Sequence, residues 1–349
     1  MSDIQDHQAL SPFDDANADL ILLTADSVTF RVFKVILSQA SPVFASALAI
    51  PLASPESGQQ DSNMDGILVF GVAEDSRTID MFLRCCYPLL NPALDVSNVC
   101  AVYKAGQKYK ADVVTRHSLQ ALSRFASDPS TCLRAYAVAC HLRLANEARL
   151  AALGSLCMSW RDVVQNKFSE LDLMPASCLS NLLEYHRECQ VAVNNTLLVP
   201  DFWVLQKDEY EPMFEPAAGR TKCRCQVHHD TFLGISLNND DVDNVKLEFD
   251  VPYVAKSWCM EFIWDLRECV ESGQFPLRRA VKDAEAVDVA ITEAFKCKTC
   301  RRTVVRCLDW FFKKLDDTID LVVGDVGAIY IFSVHALICF LQVALESKF

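Results

Sequence analysis

The sequence predicts an α+β protein, with a small domain of short strands and helices followed by a mainly α-helical C-terminal region. Two short apolar segments, 19–23 and 28–33, flank the turn residues Asp26 and Ser27, which is the pattern of a β-hairpin. Through most of the remaining chain, apolar residues recur every three or four positions, as in amphipathic helices. Glycine occurs only 10 times in 349 residues, which disfavours turn-dense all-β folds and glycine-loop nucleotide binders.

The elements behind the hairpin follow from local signals. Residues 34–39 predict a helix, and a second helix begins with Ser41 as its N-cap and Pro42 at its first position. The segment 51–66 is rich in Pro, Ser, Gln and Asp and predicts a surface loop, and 67–70 predicts a third strand.

Periodicity predicts helices over most of the rest. Asp75 and Asp95 are placed to cap two of them, and the pattern continues through 111–125, 131–142, 144–160 and 171–185. Beyond a broken stretch, Val254, Trp258, Phe262, Leu266 and Val270 are four apart and predict one buried helical stripe. Further helices are predicted over 283–295 and 304–322.

The first third of the chain resembles the BTB/POZ fold, and in particular the large BTB-domain family of mushroom-forming fungi. The matching segments are Ala18-Asp19-Leu20-Ile21-Leu22, Phe30-Arg31-Val32-Phe33-Lys34-Val35-Ile36-Leu37-Ser38-Gln39-Ala40-Ser41-Pro42-Val43-Phe44, Glu74-Asp75-Ser76-Arg77-Thr78, Cys86-Tyr87-Pro88 and Lys104-Ala105-Gly106-Gln107-Lys108-Tyr109. One position departs from the family: Phe33 stands where a histidine is usual. We therefore expect a packing contact to replace a hydrogen bond between Asp19 and that histidine.

The resemblance implies a protein-interaction module. It implies homodimerisation, pairing with other BTB proteins or docking to a cullin-type ubiquitin ligase scaffold, and hence an adaptor or scaffold function. A transcription-associated regulator that acts through partner proteins is the alternative. We predict contacts with partners near Phe44, Leu48 and Pro55, with Tyr103 and Tyr109 on the helical side, although core packing would explain most of the same residues.

The predicted organisation has six parts. They are a disordered lead (1–17), the BTB/POZ domain (18–126), a helical extension (127–198), an irregular linker or insertion (199–250), a C-terminal helical region (251–325) and an apolar tail (326–349).

The net charge and the cysteine content exclude further classes of partner and protein. The net charge of -13 disfavours nucleic acid as a direct partner, although Arg301 and Arg302 form a local basic spot. The 16 cysteines are too dilute for a secreted disulfide scaffold and indicate a reducing compartment. The first 17 residues lack the apolar run of a signal peptide, so we expect a cytoplasmic or nuclear protein.

The most specific chemical motif is a C-x2-C pair, Cys297 and Cys300. Together with Cys223, Cys225 and His228 it offers the thiolate and imidazole ligands of a structural zinc site. The two halves are separated by about seventy residues, which is long for a compact zinc finger. Metal-free thiols explain the same residues equally well, and a redox dithiol is less favoured because no thioredoxin-like pattern surrounds the pair.

No catalytic motif was found, so an enzyme is the least favoured class, and no catalytic residue is assigned. The apolar run 329–341 falls short of the roughly 20 residues that span a bilayer. It predicts a helix, with a membrane anchor or a translated intron over 326–342 as alternatives.

Overall fold

The structure is a computed structural model, and it describes residues 7–49, 63–64, 67–198, 214–216, 226–228, 253–272, 276–277 and 285–346. The chain divides into two compact units, Met1–Ala151 with Glu170–Leu173, and Ala152–Ser169 with Met174–Phe349. The described elements are mostly helices. The first unit also contains a five-stranded sheet and the second a three-stranded one, which confirms the α+β class.

The first unit is built on the predicted hairpin. Its strands lie in the order β1-β3-β2-β5-β4. Strand β2 pairs antiparallel with β3, with Leu22 opposite Phe30, and parallel with β5 on its other side. The bounds are β1 His7–Gln8, β2 Leu20–Leu23, β3 Val28–Val32, β4 Asn63–Met64 and β5 Ile67–Gly71.

Helices follow the strands in an order that also matches the prediction. Ser41 Oγ accepts a hydrogen bond from the backbone N–H of Phe44, and Asp75 and Asp95 accept one from Thr78 and Asn98, so all three predicted caps are confirmed. The helices are α1 Lys34–Ala40, α2 Pro42–Ala49, α3 Ser76–Cys86, α4 Val96–Lys108, α5 Asp112–Ser127, α6 Cys132–Leu142 and α7 Ala145–Ser155, of which residues 152–155 belong to the second unit.

The hairpin turn also supports α3. Ser27 has a φ of 60°, and the Asp26 carboxylate accepts hydrogen bonds from the backbone N–H and the hydroxyl of Ser76, at 2.9 and 2.6 Å. The hydrogen bond from the Ser76 side chain is the main reason why the pKa of Asp26 is lowered. Two carboxylates, Asp26 and Asp75, therefore lie at the N-terminus of α3, where negative charge is favourable.

Gly106 permits the close packing of α4 against α5. A Cβ atom on this residue would lie 3.1 Å from the backbone nitrogen of Thr115 and 2.9 Å from its Oγ1. We therefore expect Gly106→Ala to lower the free energy of unfolding by roughly 1–2 kcal/mol, although alanine is the better helix former. Urea unfolding followed by circular dichroism measures the change. The control is Gln107→Ala, which alters an exposed neighbour and should change stability by under about 0.5 kcal/mol; a Gly106→Ala protein as stable as this control would contradict the prediction.

The second unit is a helical bundle around an aromatic core. Trp258, Phe262 and Phe311 are each at most 1% exposed, and the rings of Phe262 and Phe311 meet edge-on at 5.3 Å. The elements are α8 Trp160–Gln165, a 3₁₀ helix at Ser169–Leu173 of which the last four residues belong to the first unit, α9 Ala176–Leu198, β6 Phe214–Pro216, β7 Gln226–His228, β8 Tyr253–Lys256, α10 Ser257–Ser272, α11 Glu285–Phe295 and α12 Cys300–Glu346.

Several predicted elements differ from the structure. Val254 lies in strand β8, which pairs with β6 and β7, so the helix with the buried stripe begins only at Ser257. The predicted loop 51–66 contains strand β4, which pairs with β5. The helix predicted over 144–160 ends at Ser155, because Ser159 caps a new helix. The helix predicted from 171 begins at Ala176, after the 3₁₀ helix.

Candidate interaction surface

Two of the residues predicted to contact partners lie in the core of the first unit. Phe44 is 0% and Tyr109 4% exposed, and their rings stack with centroids 4.7 Å apart. Phe44 also meets the rings of Phe70 and Phe82 edge-on, at 5.6 and 6.3 Å. Because both rings are buried, neither can form a direct contact with a partner.

The polar end of Tyr109 is also used internally. Its hydroxyl donates a hydrogen bond to Glu74 Oε2 at 2.6 Å, and Lys108 Nζ lies 2.8 Å from Glu74 Oε1. Burial acts to raise the pKa of Glu74, but hydrogen bonds from Lys108 and Tyr109 outweigh it, and the pKa is lowered. Burial, and then the hydrogen bond to Glu74, raises the pKa of Tyr109.

The other predicted contact residues are placed differently. Leu48 in α2 and Tyr103 in α4 are half-buried, so part of each side chain is open to solvent. Pro55 lies outside the described residues.

The most exposed large apolar side chains of the first unit are instead close in sequence to a cluster of three linked aromatic residues. Phe13 is buried, and its ring meets the Tyr87 ring edge-on at 5.3 Å. The Tyr87 hydroxyl accepts a hydrogen bond of 2.8 Å from the backbone N–H of Phe33. Tyr87 thereby joins the N-terminal segment, the start of α1 and the end of α3.

Exposed apolar residues lie two or three positions from each member of this cluster. Leu10 precedes Phe13 and is 86% exposed, Val35 follows Phe33 and is 61% exposed, and Leu90 follows Tyr87 and is 94% exposed. Two or three residues span at most about 10 Å, so each of these residues lies within about that distance of a member of the cluster. We call Leu10, Phe33, Val35, Leu89 and Leu90 the Tyr87 surface.

The N-terminus of α1 is fixed beside this surface. The Asp19 carboxylate accepts a hydrogen bond of 2.8 Å from the backbone N–H of Lys34. Asp19 binds the helix backbone, and the neighbouring Phe33 N–H binds Tyr87. The carboxylate of Asp19, the residue before β2, thus replaces the missing side-chain cap of α1. The Phe33 side chain is half-buried, and its expected packing contact stays a prediction.

The proposed zinc ligands are only partly within the described residues. Cys300 is 0% exposed in the core of the second unit, and Cys297 packs against that core from the turn before α12. The backbone of His228 lies in β7, whereas Cys223 and Cys225 lie outside the described residues. Among the side chains that the structure describes, no three His, Cys, Asp or Glu groups converge as a metal site. The zinc site therefore stays a prediction.

The predicted tail helix is continuous with the helix before it. The backbone of α12 runs from Cys300 to Glu346 and includes the apolar run 329–341. Within the described part of the chain, no helix combines the length and hydropathy needed to cross a membrane.

Comparison with known proteins gives no family assignment: no protein-family model matches the chain, and no curated protein matches it.

Sequence reasoning missed the Tyr87 surface, although two signals for it were present. Leu89 and Leu90 follow Pro88, which ends α3, so they are outside any helical stripe. In α1, Leu37 is the only fully buried residue, which leaves Val35 on another face.

Proposed function

We propose that this chain is an adaptor or scaffold that binds other proteins through a BTB/POZ-type domain in its first third. Self-association is the favoured mode, and pairing with other BTB proteins or docking to a cullin-type scaffold are further modes of the same domain. The observation that supports this function is the Tyr87 surface, because large exposed apolar side chains that form a patch are typical of a protein interface.

The attachment of this surface to the folded domain supports the same proposal. Leu10, Val35 and Leu90 come from three separate parts of the chain, and each is close to a residue held by Tyr87 or by its ring. An interface that is ordered before binding loses less conformational entropy when the partner arrives.

The sequence of the domain provides the second support. The hairpin, the two helices after it and the capped helices α3 and α4 follow one another in the order that the resemblance implies. We infer a cytoplasmic or nuclear protein of this class. The transcription-associated alternative uses the same domain and requires a partner protein, whereas no described feature favours an enzyme over an adaptor.

Val35→Glu tests self-association through the Tyr87 surface. The substitution places a charge in the proposed interface, and the unpaired charge should raise the dissociation constant of the dimer at least about tenfold. Because residue 35 lies in the first turn of α1, the added carboxylate should not destabilise that helix. Light scattering across a range of protein concentrations measures the mass.

Val191→Glu is the matched control, since Val191 is also an exposed helical valine, at 44%, but lies in α9 of the second unit. Its mass should depend on protein concentration in the same way as that of the unmodified protein. If the unmodified chain is monomeric at all concentrations and captures neither a BTB domain nor a cullin N-terminal domain, the proposed function is wrong.

A further inference from the structure

The second unit carries a concentrated positive charge that the proposed function does not use. Residues 296–306 contain five cations, and no acidic residue occurs between Glu293 and Asp309, in a chain whose net charge is -13. We define the basic patch as these five residues, all of which are exposed. They are Lys296, Lys298, Arg301, Arg302 and Arg306.

The cations of α12 lie on its solvent-facing side. Cys300, Val304 and Cys307 are at most 5% exposed and face the core. At 3.6 residues per turn, Arg301, Arg302, Val305 and Arg306 fall together on the opposite side of the helix. Val305 is 64% exposed among these arginines, and Phe295, 50% exposed, immediately precedes the patch.

Most of this charge is not neutralised within the protein. Lys296 pairs with Glu293, whereas no ion pair of the described residues involves Lys298, Arg301 or Arg302. An external anion can therefore reach several cationic groups at once.

The arrangement is unfavourable for folding. Cations in the first turn of a helix oppose its dipole, and the first turn of α12 contains no acidic residue to compensate. Arg302 and Arg306 are also one turn apart, where like charges repel. Charge arrangements that are locally unfavourable for folding are typical of functional sites.

We propose that the basic patch binds a short acidic segment of a partner protein, in which a few carboxylates flank an apolar side chain that contacts Val305. Opposite charge provides the attraction, and the exposed valine and phenylalanine provide the apolar contact. This surface belongs to the second unit, so the proposal does not depend on self-association through the Tyr87 surface.

The size of the patch favours a peptide over larger polyanions. The seven residues from Cys300 to Arg306 extend about 9 Å along the helix axis, and Lys298 lies in the turn just before them. Beyond them, α12 exposes Asp309, Asp316, Asp317 and Asp320. A nucleic acid or an anionic membrane surface that covered the patch would approach these carboxylates, whereas a segment of a few residues would not.

The test is fluorescence anisotropy of the full chain with a labelled short peptide of alternating glutamate and leucine. We expect saturable binding at low salt that weakens strongly at about 0.5 M salt, and no binding of the same peptide with glutamine in place of glutamate. The variant Arg301→Glu/Arg302→Glu should weaken binding at least about tenfold, because two attractions become repulsions. Acidic residues suit the start of a helix, so this variant should fold.

The control Arg116→Glu/Arg149→Glu makes the same change in net charge at two exposed arginines of the first unit. It should bind the peptide within about twofold of the unmodified protein, since it leaves all five cations of the basic patch unchanged. The proposal would be overturned if both double variants lost the same amount of affinity for the peptide, or if the unmodified protein did not bind the glutamate peptide at all. Tighter binding of single-stranded DNA or of phosphatidylserine vesicles than of the peptide would also overturn it.

Discussion

Replacing Phe44 by alanine is expected to lower the free energy of unfolding of the first unit by roughly 3–5 kcal/mol. The ring is fully buried and contacts three other aromatic rings, so its removal leaves a cavity that the stacked Tyr109 cannot fill without losing its hydrogen bond to Glu74. Urea unfolding, followed by circular dichroism and compared at the same protein concentration, measures the loss.

Phe44→Leu and Val35→Ala are suitable controls for this prediction. The leucine variant retains most of the buried volume and should lose clearly less stability than Phe44→Ala. Val35 is exposed, so Val35→Ala should stay within about 0.5 kcal/mol of the unmodified protein. A stable Phe44→Ala protein that fails to bind a partner would show that Phe44 contacts partners directly and that its placement in the core is wrong.

The elements that could be predicted from the sequence are those determined by neighbouring residues. Ser41, Asp75 and Asp95 cap helices through hydrogen bonds to residues three positions later, so residue type and spacing were sufficient to locate the helix starts. The hairpin was predictable for a similar reason, because its strands are adjacent in sequence and alternate in character.

Elements that depend on distant pairing could not be predicted in this way. Val254 continues the four-residue spacing of the helix after it, yet it lies in a strand because β6 and β7 supply hydrogen-bonding partners. Strand β4 has only two residues and exists through its pairing with β5. Periodicity within one segment contains no information about such partners.

The candidate surface was missed for the same physical reason. Apolar character identified Phe44 and Tyr109 as important, but it did not show that packing buries them and leaves Leu10, Val35 and Leu90 exposed. That difference depends on contacts between residues distant in sequence, such as the stacked rings of Phe44 and Tyr109. The basic residues of the later patch were visible in the sequence, whereas their common face on α12 required the structure.

The second unit should lose stability in mild acid because it buries His186 in the neutral form. This side chain is 2% exposed, and burial lowers its pKa from 6.5 to about 4. Ser155 Oγ donates a hydrogen bond to the carbonyl of Ala152 and lies 2.8 Å from His186 Nε2. The serine has one hydroxyl proton, so Nε2 carries a proton and donates to Oγ.

The sign of the effect follows from proton uptake. Between pH 6.5 and about 4, the imidazole is protonated in the unfolded chain but neutral in the folded one. Each pH unit of decrease in this window therefore lowers the free energy of unfolding by about 1.4 kcal/mol, to a total of about 3 kcal/mol. Above pH 6.5 the imidazole is neutral in both states, and its contribution no longer changes.

Urea unfolding of the full chain between pH 4 and 8, with intrinsic tryptophan fluorescence as the signal, measures this loss. His186→Gln keeps a donor toward Ser155 but removes the titrating group, so the difference between this variant and the unmodified protein should change only below about pH 6.5. Ser155→Ala removes the acceptor and retains the buried imidazole, so it should lower stability at every pH while the acid-induced loss persists. If His186→Gln and the unmodified protein show the same pH dependence, His186 is not the buried neutral group that the structure describes.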